Sequence, residues 1–506
     1  MSPNIVSCMG RAQQGVVPSA PQSARGNSDV LKAVCPRVTS QAHSINPAIV
    51  RAYDLRGVVG RELGCGDARM LGLAYATAAR RQGRARIAVA RDGRLSSPEL
   101  EAALVGGLIE GGVDVTCLGL APTPQLHFAI HAHGFDGGIM VTGSHNPAGE
   151  NGFKLVLGKH PVYGAALRAL VATEVQCSGG GRSTSLDVGA EYAARIAEFA
   201  TGERGIHVVW DCGNGAVGAV IAAVVARLPG RHSVLNASVD GRFPAHHPDP
   251  AVAENLCELQ RTVLERRADL GVAFDGDGDR IGIVDDSGAI VWPDQLLLLL
   301  AREVLAELPG ATLVADVKSS RVLFEGIERL GGRPVMAPSG YVLVREAMLR
   351  ERAPLAGEMS GHIIFERCWN ATDDALHVAV RTMNAVARLE GGLARFRETL
   401  PATCATPEIR FPCPEDRKSA VMQQIADRLA RSGATVNTID GVRVSTPAGW
   451  WLLRASGTEA KLTARCEASD GESLAELVGT LTQQLEASGL EVPTALRSAK
   501  RRVSPH

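Results

Sequence analysis

Along this chain short apolar runs that end in aspartate alternate with longer stretches of helical spacing, and one arrangement of the two occurs three times. RIAVARDGR (86–94) is an apolar run ending at Asp92. A polar loop, the helix-like SPELEAALVGGLIEGG and a second apolar run, VDVTCLG, follow it. IHVVWDCGNG (206–215) repeats the first part with Asp211, and AVGAVIAAVVARL follows. ATLVADVKSS (311–320) does so again with Asp316, then VLFEGIERLGG and RPVMAPSG. Short apolar runs closed by turn residues predict buried strands, and the longer stretches predict helices. Three strand–aspartate–loop–helix–strand units predict three similar α/β domains with mixed, largely parallel sheets, whose ligand sites lie beyond the carboxyl ends of the strands.

From about residue 402 the pattern changes. EIRFPC predicts a strand, RKSAVMQQIADRLARSG a helix, GVRVS and WWLLRAS two more strands, and a further helix closes the unit. That is an α+β domain. The boundaries drawn are 46–195, 196–290, 291–401 and 402–490. Residues 1–45 are rich in Ser, Pro, Gln and Gly without periodicity, and with 491–506 they read as disordered tails. The first tail carries four basic residues and one acid, which also suits a transit peptide; the reading favoured is a disordered tail or a start codon assigned too early.

Length and composition narrow the class. At 506 residues the chain is too long for one core, and roughly three or four domains are expected. Its 53 basic and 54 acidic residues nearly cancel, which argues against a nucleic-acid or membrane-surface partner and for a small ligand held locally. The longest apolar run, Leu296–Leu300, continues into the charged stretch AREVLAEL. A membrane span needs roughly 20 apolar residues, so a buried helix is expected instead. Eleven cysteines without a CxxC pair or zinc spacing suit a cytoplasmic protein with reduced thiols.

The first candidate chemistry is FDGDGDRIGIVDD (274–286), where Asp275, Asp277 and Asp279 alternate with glycines. Three carboxylates aimed at one point repel unless a cation joins them, and hard oxygen ligands favour Mg²⁺ or Ca²⁺. An EF-hand is disfavoured: it wants Gly and Glu where Arg280 and Asp286 stand, and helices where LGVAF and IGIVD predict strands. A solvated acidic turn is the plain alternative. The second candidate is IMVTGSHNPAGENGFK (139–154), which places Ser144 in a tight turn after a buried strand. It is not G-x-S-x-G, so no hydrolase elbow is indicated. Alone it reads equally as an ordinary turn. Beside a metal loop, a serine hydroxyl could meet an anionic phosphorus, because the ion screens the repulsion.

Five motifs in order then identify a resemblance: RAYDLRG (51–57), VTGSHNP (141–147), DGDGDR (275–280), GEMSGH (357–362) and RASGTEAKL (454–462). The chain resembles the α-D-phosphohexomutase family, in its bacterial phosphomannomutase/phosphoglucomutase branch, from about residue 47 to about 488. The resemblance implies three α/β domains and a C-terminal domain around one central cleft. It implies Ser144 carried as phosphoserine, and Mg²⁺ held by Asp275, Asp277, Asp279 and a phosphoserine oxygen. The implied reaction interconverts hexose 1-phosphate and hexose 6-phosphate, of mannose or glucose, with the 1,6-bisphosphate as intermediate and activator. Lys154 and Arg280 match catalytic positions. Tyr53, Arg56, Lys318, Glu358, Ser360 and His362 match substrate-binding ones. Arg454, Ser456, Gly457 and Thr458 match the phosphate clamp. A cytoplasmic monomer or weak homo-oligomer is expected.

Two departures stand out. Where the family usually has Thr-Gly-His-Ser, this chain has Ser339-Gly340-Tyr341-Val342. Tyr341 titrates far above a histidine, so proton transfer falls more heavily on Lys154 or the phosphates. In the phosphate loop Gly457 stands in place of asparagine and Ala460 in place of proline, which removes a side-chain donor and loosens the clamp. These departures motivate a competing reading, a sugar-phosphate binder without turnover. A phosphoglucosamine mutase is the enzyme alternative, which Met359 in GEMSGH disfavours. A calcium-binding structural protein is the third.

Overall fold

The structure, a computed structural model, describes residues 44–201, 204–367, 369–455 and 460–499. Three sheets repeat one strand order. In the first, the aspartate-bearing strand Arg86–Arg91 is central. It pairs in parallel with Asp114–Leu120 on one side and Gly137–Val141 on the other, and Glu150–Leu157 pairs antiparallel with the latter. In the second, His207–Asp211 lies between Arg231–Leu235 and Leu270–Phe274, both parallel, with Ile281–Asp285 antiparallel beyond. In the third, Thr312–Asp316 lies between Arg333–Ala337 and Leu355–Gly357, with Ile363–Phe365 antiparallel beyond. The central strands are buried on both faces, which is why they read as continuous apolar runs and not as alternating ones.

The repeat has a consequence for function. The connection between the third and fourth strand of each unit carries one of the sequence motifs: residues 142–149 around Ser144, residues 275–280 with the aspartates, and residues 358–362 with Glu358 and His362. The three loops are topologically equivalent.

The fourth sheet is antiparallel throughout, in the order Cys404–Ala405, Lys461–Ala468, Gly449–Ala455, Val442–Thr446, Thr435–Asn437. Helices Glu415–Ser432 and Gly471–Ala487 cover it and close its own core. Its attachment to the third sheet is polar and buried. Arg443 donates to the carbonyls of Val317 and Ser319 and lies 3.8 Å over the Trp450 ring, while Glu467 accepts from Trp450 Nε1 and Ser320 Oγ at 2.9 Å each.

The expected fold class is the observed one. Leu296–Leu300 lies in the buried helix Pro293–Glu307, in a core continuous from the second sheet into the third. Among the described residues no helix is long and apolar enough to cross a membrane, and the cysteines are free. Two details differ from the sequence reading. AVGAVIAAVVARL forms a 3₁₀ turn, Ala216–Ala219, and a short helix, Ile221–Val225. The Ala216 N–H is drawn to the Gly276 carbonyl at 2.9 Å, so this segment starts on the aspartate loop. At the C-terminus, residues 494–499 form a helix, with Val492 and Leu496 buried in the fourth core, so the chain stays packed beyond 491. The first tail, apart from its last two residues, lies outside the described residues, as does the clamp Ser456, Gly457 and Thr458.

Candidate active site

Asp92 and Arg94 build the Ser144 loop from below. Asp92, at the end of its strand, accepts from Thr142 Oγ1 at 2.9 Å and the Gly143 N–H at 3.1 Å. Arg94, 1% exposed, pairs with Asp92 and donates to the carbonyls of Ser144, Asn146, Pro147 and Glu150 at 2.6–2.9 Å. One guanidinium thus gathers four carbonyls of this loop around a single buried charge. Held this way, Ser144 adopts φ +48°, a strained conformation for a residue with a Cβ. A side chain at Gly143 would put its Cβ 2.3 Å from the Arg94 guanidinium, so glycine is required there.

Ser144 Oγ donates to Asp275 Oδ2 at 2.8 Å, although the two are 131 positions apart. Asp275 Oδ1 accepts the N–H groups of Gly278, Asp279 and Arg280, which curls the loop around its own first carboxylate. Asp277 Oδ2 accepts from Thr123 Oγ1 at 2.5 Å and from Lys154 Nζ at 2.7 Å, and Lys154 also bonds Asp279 Oδ2. The carboxylate oxygens of Asp275, Asp277 and Asp279 lie within 4.8 Å of one another, all three side chains buried. Asp277 Oδ1 and Asp279 Oδ1 have no hydrogen-bond partner. Burial, then the charges of Asp277 and Asp279, push Asp275 well above the usual carboxylate range, with Arg280 and Lys154 opposing. Converging hard oxygens with unused lone pairs fit a metal ion. Burial alone would lower Lys154, but Asp277 and Asp279 override it and hold the ammonium charged.

These groups face a cavity of about 660 Å³. Ser144, Lys154 and Arg280 line one wall, Tyr53 and Arg56 another. Tyr341, Glu358, Ser360 and His362 come from the third domain, and Lys318 and Arg454 lie toward the fourth. Every described candidate catalytic, metal-binding, substrate-binding or phosphate-binding residue is therefore at this cavity or, like the aspartates, directly beneath its wall. Arg56 Nη1 is buried and unpartnered, and Nε is held by Asp54 at 2.8 Å. Lys318 lies 3.4 Å from Glu408, whose carboxyl is held at about 2 by Lys318 and Arg410 against the effect of burial. Arg454 pairs with Asp440 at 3.0 Å.

The histidine left open in the sequence has a defined setting. His362 accepts from Arg280 Nε at 3.0 Å through Nε2, and its Nδ1 lies 2.8 Å from Asp373. Tyr341 stacks on it, ring centroids 5.4 Å apart. Burial raises the Tyr341 hydroxyl far above its ordinary value, so it acts as a neutral hydrogen-bonding group. Met359 does not line the cavity; its N–H bonds Asp316 at 3.3 Å.

Sequence reasoning missed Arg94, Asp373 and the pair His145–Asp249, whose atoms lie 3.0 Å apart. Arg94 sits two residues after the repeated aspartate, the one signal that pointed to it. Asp373 and Asp249 carried none, since Asp373 meets His362 from the neighbouring strand and Asp249 meets His145 from another domain.

Comparison with known proteins agrees with this geometry. Sequence models of phosphoglucomutase/phosphomannomutase match residues 47–174 (alpha/beta/alpha domain I), 190–288 (domain II), 292–404 (domain III) and 408–484 (C-terminal domain). The chain belongs to the phosphoglucomutase/phosphomannomutase family. It is 38% identical over 460 residues to the phosphomannomutase/phosphoglucomutase of Pseudomonas aeruginosa, covering 90% of this chain and 99% of that one. It is 37% identical over 452 residues to a phosphoglucomutase of Neisseria gonorrhoeae, covering 88% and 98%. The crystal structure of a phosphoglucomutase/phosphomannomutase family protein from Burkholderia thailandensis superposes with a TM-score of 0.82 at 38% identity, over 88% of this chain and 98% of that one. As a member of this family, the chain is a hexose phosphate mutase, an isomerase that moves a phosphoryl group on a hexose.

Proposed function

We propose that the protein interconverts the 1- and 6-phosphates of mannose and glucose through phosphorylated Ser144, with Mg²⁺ on the three aspartates. The observation that carries this reading is Ser144 Oγ at 2.8 Å from Asp275, at the edge of three converging carboxylates and facing the cavity. A divalent cation there would screen the phosphoryl oxygens from the entering hydroxyl.

In this scheme phosphoserine gives its phosphoryl to the free hydroxyl of the bound sugar phosphate. The bisphosphate reorients in the cavity, and the other phosphoryl returns to Ser144. Arg454 and the neighbouring clamp residues hold the phosphate that is not reacting, as a planar guanidinium does well. Glu358 and Ser360, 3.2 Å apart, accept and donate to ring hydroxyls. Lys154 stays an ammonium, suited to steadying the transferring phosphoryl oxygens and to giving a proton to a leaving oxygen. Arg280, half-buried and raised by Asp275, Asp249 and Asp279 against its desolvation, adds a permanent positive charge and orients His362 from one side while Asp373 lies on the other. Tyr341 supplies a neutral hydroxyl where relatives carry histidine. A cytoplasmic location and activation by glucose or mannose 1,6-bisphosphate belong to the same proposal.

A coupled assay across mannose, glucose and glucosamine 1-phosphates, with Mg²⁺ and the 1,6-bisphosphate present, tests the substrate class. Turnover is expected with mannose and glucose phosphates. Turnover confined to glucosamine 1-phosphate, or none on any of the three, overturns it.

A further inference from the structure

A second cavity of about 350 Å³ opens behind the catalytic one. Its walls come from helix Thr123–Ala132, the turn at Lys159, helix Gly189–Ala197 and the segment Trp369–Thr372. His127, His131, Lys159 and Arg195 line it, and no carboxylate does. His127 and His131 have no hydrogen-bond partner among the described residues. Arg195 pairs with Glu198 and lies over the rings of Phe199 and Trp369, so its direction is set. Arg345, bonded to the Ala371 carbonyl at 2.7 Å and facing Asp373, is near enough to act on both histidines. Asn370 and Ala371 hold φ +55° and +53°, two consecutive strained residues that shape this wall.

We propose that this cavity is a binding site for a dianionic oxyanion, free or carried as the phosphoryl group of a small metabolite. Lys159 and Arg195 of the first domain supply positive charge, and the two unpaired histidine rings supply N–H donors, opposite the Trp369–Thr372 wall of the third domain; together they suit an anion of this size. The histidines register the crowding. Burial lowers His127 to about 4, with Asp373 opposing and Arg345, His131 and Lys154 adding to the fall. Burial, then Lys159 and Arg345, lower His131 too. An anion bound here would tie the first domain to the third from behind. Both walls lead to the catalytic groups: Thr123 at the start of the helix donates to Asp277, and Thr372 adjoins Asp373. The site is independent of which hexose the mutase prefers.

The test is calorimetric titration of the full chain with sodium sulfate, inorganic phosphate and 3-phosphoglycerate in separate arms, with Mg²⁺ present and no sugar phosphate. Beside any event at the catalytic cavity, a second binding event is expected for the wild type. It should weaken at least ten-fold in His131→Gln/Lys159→Gln, whose mutase rate without added anion stays at the wild-type value. Both positions are partly exposed, so the variant folds, and either single substitution should show an intermediate loss. Tighter binding of 3-phosphoglycerate than of phosphate identifies a metabolite as the source, and equal binding a free anion. Absence of a second event in every arm, or identical isotherms for wild type and double variant, overturns the proposal.

Discussion

Arg94 does more for Ser144 than any residue that touches the substrate cavity, and it does so from a fully buried position. Its charge is paired with Asp92 and its remaining donors reach four carbonyls of one turn. Removing one partner of a buried pair costs about 3–5 kcal/mol, because the other charge stays behind uncompensated. Arg94→Met should therefore lower the urea midpoint by that equivalent. It should also cut turnover by about 10²-fold, since a loop displaced by an ångström loses its alignment. Wild-type stability and rate in that variant would show that the Ser144 loop holds itself. The same residue marks a limit of sequence reading. Ser144 and the three aspartates were legible because metal and phosphoryl chemistry demand those residue types at that spacing. Arg94 looks like any arginine until the carbonyls around it are located.

At the level of elements, the three α/β units were legible from their apolar runs, and each repeated aspartate proves to be a loop organiser. Asp92 holds Thr142 and Gly143; Asp211 holds Gly213, Asn236 and His246; Asp316 holds Ser319 and Ser339. None of the three is a metal-loop carboxylate. What the pattern did not show is that the serine, aspartate and sugar loops are the same connection in three copies, because that equivalence depends on which strand turns antiparallel. The broken helix after Asp211 was also hidden, since a hydrogen bond to the aspartate loop decides it. The first two loops meet with almost no clearance: a Cβ on Gly276 would lie 2.3 Å from the Ser144 carbonyl. Gly276→Ala should push the loops apart, lowering kcat at least ten-fold with a near-native melting curve. Unchanged kcat would mean that the contact is slack.

Over the whole molecule, the domains are joined by polar and aromatic contacts that titrate. His377 is buried between the rings of Phe199, Phe365 and Trp369 and held at about 3, mainly by burial. His127 is held at about 4 mainly by burial, and His145 at about 4 by Arg280 and then burial. Each binds its proton more weakly folded than unfolded, where a histidine titrates near about 6.5. The unfolded chain takes up more protons between those values, so stability falls as pH drops from about 6.5 toward 4, by about 1.4 kcal/mol per pH unit for each group. His377→Phe should flatten that acid slope by one group's share in denaturant titrations, and an unchanged slope would remove His377 from the explanation. The central claim, that Ser144 carries the phosphoryl group between sugars, is tested most directly by radiolabel. Protein incubated with glucose 1-phosphate bearing ³²P, then digested and mapped, should hold the label on the Ser144 peptide and release it into glucose 6-phosphate on chase. Exchange that proceeds in Ser144→Ala, or label on any other residue, would contradict it.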